Sequence, residues 1–348
     1  MDIYVLNTKL ERIAVIDDYS SVIWVKRYFE CGDFELYLPA TQRYLDILKI
    51  DNFLCRNDDD TVMVIENIQI TTDAENGSFI IVTGRSLESI VARRIVWKQT
   101  TFSGNVSGLI QKLISDNIIS PLITNRKIDN FTFRSLLASS ESITKQITGD
   151  NLMEAIVAIC KTYGYGWRIK LVNKTFVFEL YKGLDRSRNQ NVNAHVVFSP
   201  TFDNLVNSNY KLEHANVANV ALVAGEGEGV DRKQSIVGDE SGLNRREIYV
   251  DARDLSTNEE EPLTDEEYNN ILTERGNEGL NERVIVESFE GEVETRTTYL
   301  YRRDWNIGDI VQVENEFGIS ANPRIIEIIE SEDESGYVVI PTFEEWEV

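Results

Sequence analysis

Apolar and polar positions alternate along much of this chain, and two distant stretches, residues 50–85 and 307–342, repeat the same order of segments. Each opens with a short apolar strand, Phe53-Leu54-Cys55 or Ile310-Val311-Gln312-Val313, beside a turn containing Asp51-Asn52 or Gly308-Asp309. A longer apolar-rich run follows (62–71; 324–330), then an acidic turn (73–77; 332–336), then a β-branched strand (78–82; 337–340). Strand, strand, glycine-containing hairpin and strand define a β unit. Half-buried antiparallel modules draw on few side chains, so the pattern by itself leaves duplication and coincidence equally open.

The rest of the first hundred residues continues the β signal at 12–16, 21–28 and 34–38, with turns at Asp17-Asp18, Cys31-Gly32 and Asn76-Gly77. This predicts an antiparallel barrel or sandwich. Beyond residue 100 the period changes. Val106, Leu109, Ile110, Leu113 and Ile114 fall at helical spacing and stop before Pro121, and Leu152, Met153, Ile156, Val157, Cys160 and Tyr163 do so between Asp150 and Gly164. A hairpin is expected around Asn173-Lys174. β signals resume after Pro200, with an apolar strand over 217–224, and are interrupted by a polar, glycine-bearing stretch. Within it Thr264 and Glu267 form a capping box, Leu263 can staple onto Tyr268, and Gly276 is the expected stop. The predicted class is mainly β with α+β: a first β-barrel domain over 1–100, an α+β middle domain over 101–200, a second barrel over 201–225 and 292–348, and an insertion over 226–291 carrying one helix.

Composition narrows the functional classes. With 348 residues the chain is long enough for two or three cores, and 42% hydrophobic with 27% charged residues is the balance of a globular protein. No apolar run approaches the roughly 18 residues of a membrane helix, and Met1-Asp2-Ile3-Tyr4 lacks signal-peptide character, so cytoplasmic synthesis without membrane insertion is expected. The net charge is −23, and eight carboxylates but no Lys or Arg follow Arg324. Such a surface repels phosphate backbones and disfavours specific nucleic-acid binding. Acidic charge usually serves solubility, and it also suits a conduit through which DNA slides without sticking.

Local chemistry is sparse. Three scattered cysteines, Cys31, Cys55 and Cys160, make neither a disulfide framework nor a zinc site, and the two histidines, His195 and His214, have no nucleophile at useful spacing. Gly225-Glu226-Gly227-Glu228-Gly229 would set carboxylates against a phosphate and reads as a surface loop. Asp58-Asp59-Asp60 lacks the further oxygens of a calcium loop and reads as a solvated turn. No catalytic residue, cofactor or metal is expected. The aromatics Trp24, Tyr28, Phe29, Phe34 and Tyr37 alternate as core, whereas Trp305, Asp309 and Trp346 are the interface candidates, at a strand entry and near the chain end.

Several motifs carry a resemblance. Asp2-Ile3-Tyr4-Val5-Leu6-Asn7, Asp18-Tyr19-Ser20-Ser21-Val22-Ile23-Trp24, Gly32-Asp33-Phe34-Glu35-Leu36, Val82-Thr83-Gly84-Arg85-Ser86-Leu87-Glu88 and Asp304-Trp305-Asn306-Ile307-Gly308-Asp309 resemble the siphovirus ReqiPepy Gp37-like tail proteins over almost the whole chain. That family is similar to baseplate hubs and to the N-terminal part of tail-associated proteins. The resemblance implies a structural hub of a phage, prophage or phage-derived particle, without enzyme activity, at the tail tip. It implies a homotrimer whose two barrels per subunit match a sixfold tube to a threefold tip. The implied partners are the tail tube or distal tail protein ring, a spike or tip protein, and the tape-measure protein, with DNA passing through the ring. The sequence stops at Val348 directly after its last barrel signal, so a lytic domain is expected on another protein. Two other classes stay open: a tail-associated peptidoglycan hydrolase and a carbohydrate-binding receptor module.

Overall fold

The structure, a computed structural model, describes residues 1–73, 77–138, 140–255, 263–284, 286–293 and 298–344. Strands β1 (Ile3–Leu6), β2 (Arg12–Ile16), β3 (Ser21–Arg27) and β4 (Asp33–Pro39) are followed by the short helix α1 (Gln42–Ile47) and by β5 (Phe53–Arg56), β6 (Val62–Asp73) and β7 (Gly77–Ser86). Alternation decides what they bury: Phe34, Leu36 and Leu38 point inward from β4, and Val22 and Trp24 from β3, into one core with Ile3, Ile65 and Val82. Strand β6 is buried through Ile65 and exposed from Gln69 onward, and a bulge between Ile65 and Asn67 separates the halves. The tip of the β6–β7 turn, residues 74–76, lies outside the described residues.

A middle region follows, with β8 (Thr100–Asn105), α2 (Val106–Ile114), β9 (Phe131–Ser135), β10 (Ser142–Ile147), α3 (Leu152–Tyr163), β11 (Gly166–Val172) and β12 (Thr175–Tyr181). Both helices lie where the period placed them. Asn105 caps α2 by accepting from Gly108 N, and Asn151, one residue after the expected Asp150, caps α3 by accepting from Met153 N and Glu154 N. Asn173 and Lys174 both take positive φ, 49° and 62°, as a two-residue turn between β11 and β12 demands. The apolar faces of α2 and α3 meet Trp167 and Phe178 in a second core.

The remainder comprises β13 (Val197–Phe198), β14 (Leu205–Glu213), β15 (Val220–Ala224), β16 (Gln234–Val237), β17 (Glu247–Asp251), α4 (Asp265–Asn281), β18 (Val286–Val293), β19 (Gln312–Glu314), β20 (Ser320–Ala321), β21 (Ile325–Asp333) and β22 (Gly336–Phe343). Strand β15, grouped by sequence with the second barrel, instead pairs with β16 and β17, and α4 covers this three-stranded sheet. The excursion between β14 and β18, expected as an insertion with one helix, is a folded αβ unit in which that helix lies on a three-stranded sheet. Helix α4 also runs past Gly276. A Cβ there would come within 2.5 Å of Val237 and 2.8 Å of Val223, so this glycine permits close helix–sheet approach instead of stopping the helix.

The closing hairpin joins the beginning of the chain. One nine-stranded sheet runs β2-β1-β5-β6-β7-β4-β3-β21-β22, with β21 antiparallel to β3 from Glu327 opposite Arg27 to Asp333 opposite Ser21. The hairpin nevertheless places Ile325, Ile328, Val339 and Phe343 in a separate core with Val196, Phe198, Trp305 and Val311. The two β regions therefore share a sheet while keeping distinct interiors. Among the described residues no helix is long and apolar enough to cross a membrane.

Candidate functional site

Where β3 meets β21, the sequence puts charge at positions that alternation sends inward. Glu330 is fully buried on β21, in the same inward phase as Ile328. A lone buried carboxylate would cost several kcal/mol, so it must be paired. It accepts hydrogen bonds from Arg302 Nη2 at 3.0 Å, from Arg56 Nη2 at 3.1 Å and from the Tyr337 hydroxyl at 2.5 Å, and Lys26 Nζ lies 3.1 Å away. Asp59 bonds Lys26 and receives Arg302 Nη2 at 2.5 Å, while Asp58 takes Arg56 in a two-pronged contact at 2.9 and 2.6 Å. Three cations and three carboxylates balance. Burial by itself would raise the Asp59 carboxyl, but Lys26 and Arg302 outweigh it and hold the group at about 2. The triplet expected as a solvated turn therefore has the side chain of its middle residue turned inward and only 3% exposed.

Beside this cluster lies a cleft of about 460 Å³, bounded by Lys26 and Asp59 from the first β region, Glu88 and Arg168 from its contact with the middle region, and Tyr301 and Arg302 from the turn before β19. Burial pushes the Glu88 carboxyl up, against the hydrogen bond it accepts from Ile169 N at 2.7 Å. Glu88 thus clips β11 onto the end of β7. The acids Asp58 and Asp59 are held ionised by their partners. The arrangement is chemically a set of clamps, and among the described residues no group of three His, Cys, Asp or Glu is placed to hold a metal ion.

Tyr28 joins all three regions. Its ring is fully buried, its hydroxyl donates to Gly164 O at 3.2 Å and accepts from Gly183 N at 3.3 Å, and the Arg324 guanidinium stands 5.2 Å from its centroid. A Cβ on Gly166 or on Gly308 would each come within 2.2 Å of the ring, so two bare backbones grip it from the middle and C-terminal regions. Trp167 adds a bond from Nε1 to Phe29 O at 2.6 Å.

Two of the three residues nominated from sequence, Trp305 and Asp309, lie in the interior of the subunit. Trp305 is fully buried, with its ring centroid 5.0 Å from that of nearby Tyr301 and 6.0 Å from that of Phe198 on distant β13, so a distant strand completes a core that its own neighbourhood only begins. Asp309 is 3% exposed and accepts from Leu184 N at 2.8 Å, Arg186 Nε at 2.7 Å and Asn306 N at 3.0 Å, which fixes the loop before β19. Trp346 lies outside the described residues. In the subunit itself Trp305 and Asp309 are thus interior, and sequence reasoning passed over Lys26, Arg56, Arg302 and Glu330. The available signal was a carboxylate at an apolar-phase position of a strand.

Residues 2–343 match the family described as Siphovirus ReqiPepy6 Gp37-like protein. No curated protein matches the chain. Among solved structures, the chain is similar to the prophage MuSo2 43 kDa tail protein from Shewanella oneidensis, with 12% identity and a TM-score of 0.59 over 99% of this chain and 98% of that one. It is similar to prophage tail protein gp18 from Listeria monocytogenes EGD-e at 12% identity and TM-score 0.59, covering 99% and 95%. It also resembles the tail protein from Neisseria meningitidis MC58 at 13% identity and TM-score 0.57, covering 99% and 96%. At these identities the likeness is one of fold.

Proposed function

The chain belongs to the Siphovirus ReqiPepy6 Gp37-like family, and from that premise we propose that it is the hub of a tail tip or baseplate, a trimeric ring joining a sixfold tube to a threefold tip or spike. The observation that carries this reading is a pair of β hairpins within one sheet: hairpin β6–β7 serves one core, hairpin β21–β22 another, and β3 joins them edge to edge. A trimer of such chains offers six similar units to a tube of six subunits, which a single unit per chain could not do.

The reading is non-enzymatic. The charged cluster locks the two β regions at a fixed angle, and the Tyr28 joint and the Glu88 clip fix the middle region against both. A hub that transmits load between a tube and a tip needs such rigid joints. The proposed neighbours are the tube or distal tail ring on one side, the spike or tip protein on the other, and the tape-measure protein; the net charge of −23 per chain suits a passage for DNA. Light scattering over a concentration series tests this. A mass near three times 39.8 kDa, with a ring of six lobes in images of the assembled material, is expected. A strict monomer that forms no ring in the particle would overturn it.

A further inference from the structure

Two segments meet at the C-terminal end of α2. The first leaves the 3₁₀ turn Leu87–Arg93 in extended form, so alternation buries Val96 and turns Ile95 and Trp97 outward, 42% and 55% exposed. The second follows Pro121, with Leu122 88% and Ile123 40% exposed, and closes in the turn Thr124–Arg126. A π-helical turn, Ser115–Ile119, continues α2 and buries Asn117 between the two segments. Asn117 accepts from Trp97 N at 3.1 Å and from Arg126 Nη2 at 3.3 Å, and it donates to Leu113 O at 2.9 Å. Arg126 also donates to Ile95 O at 2.7 Å, and its guanidinium stands 5.0 Å from the Trp97 ring centroid. The outward apolar side chains are thereby held on a fixed frame.

Charge on this frame is uneven. Its flanks are neutralised, Arg93 by Asp51 at 2.8 Å and Lys127 by Asp129 at 3.1 Å. At the centre Arg94 donates from Nε to Arg126 O and from Nη1 to Arg93 O, both at 3.0 Å. Among the described residues neither Arg94 nor Arg126 pairs with a carboxylate; burial, and after it the Arg94 charge, hold the Arg126 guanidinium below its usual value. Single exposed apolar residues are ordinary, but four on two adjoining segments, set around two uncompensated guanidiniums in a chain of net charge −23, are not. Trp and Arg among aliphatic side chains are the groups that anchor protein interfaces, and the guanidinium fork fits a carboxylate. We propose that this patch docks a polypeptide segment of a neighbouring protein that presents carboxylates next to aliphatic side chains. The carboxylates complete Arg94 and Arg126, while the aliphatic groups cover Ile95, Trp97, Leu122 and Ile123. A phosphate polymer would meet the same cations, but it gains nothing from Leu122 and Ile123 and is repelled by the rest of the chain. The hub reading draws on the β regions, so this surface stands or falls separately from it.

The probe is a short fluorescein-labelled peptide in which glutamate alternates with leucine, titrated with the full chain and read by anisotropy. Binding should weaken as salt rises, and by about tenfold in Arg94→Gln. Twin peptides with glutamine in place of glutamate, or serine in place of leucine, should each bind less. Leu122 is 88% exposed, so Leu122→Ser leaves the fold intact; it should weaken the glutamate–leucine peptide and leave the serine twin unchanged. Wild-type melting of both variants would show that these losses are local. The assignment is overturned if the glutamate–leucine peptide does not bind, or if Arg94→Gln and Leu122→Ser bind it as the wild type does. Tighter binding of oligothymidylate or of phosphatidylglycerol vesicles than of the peptide overturns it as well.

Discussion

Gly308 and Gly77 share a φ of 89°, but only Gly308 faces a ring: a Cβ on Gly77 meets nothing within 4 Å, whereas one on Gly308 meets Tyr28 at 2.2 Å. Gly77→Ala therefore measures backbone strain alone, and Gly308→Ala adds the cost of overpacking, about 1–3 kcal/mol beyond the Gly77 value. Guanidinium unfolding of the two variants separates the terms; equal losses would mean that Tyr28 yields without resistance. The charged cluster makes a second residue-level prediction. Asp59 is held at about 2, below its ordinary 3.8, so its contribution is fully present above the unfolded value and is lost as pH falls toward 2. Its share is on the order of 2 kcal/mol. Between about pH 4 and 2 the wild-type chain should lose more stability than Asp59→Asn, measured by urea unfolding at each pH. Parallel curves would show that Lys26 and Arg302 do not hold the group.

Among the elements, α4 offers the cleanest local test. Thr264 accepts from Glu267 N at 3.2 Å while the Glu267 carboxylate accepts from Thr264 N at 2.9 Å, so Thr264→Ala should cost about 1 kcal/mol. The loss should show as faster amide exchange in α4 and its sheet, with β3 and β21 unchanged. This capping box, the helices α2 and α3, and the Asn173-Lys174 turn were all legible in sequence, because each follows from residues within one or two turns of chain. The pairing of Trp24 with Glu330 was not, since it joins strands more than 300 positions apart and leaves no local period. The same distance explains Trp305: its partners Phe198 and Phe343 lie far from it in sequence, so a local reading finds no core for it. Gly276 misled for a related reason, since its neighbours Val223 and Val237 belong to strands outside the helix. The likeness of hairpins β6–β7 and β21–β22 was visible, but their sharing of one sheet was not, nor was the departure of β19 to pair with β13 and β20 where β5 pairs with β6.

For the whole molecule, the decisive property is that the sheet's two terminal contributions depend on each other. Strand β3 is interior to the sheet only while β21 covers it, and Lys26, Arg56 and Arg302 are neutralised only while Glu330 is in place. A chain lacking residues 325–348 should accordingly lose its solubility, because it would leave both an open strand edge and three cations short of a carboxylate. Sedimentation of the lysate checks this: recovery of the shortened chain as a soluble monomer with wild-type melting would show that the first β region stands alone.

That dependence also sets an order of events during synthesis. The ribosome releases β3 some 300 residues before its covering strand exists, so for most of translation the nascent chain carries an incomplete sheet and an unfinished charge cluster. Contacts this distant are slow to form, and the last hairpin closes the first sheet only after everything between them has been made. The N-terminal region is therefore the part most exposed to chaperones and to mispairing with a neighbouring nascent chain on the same message.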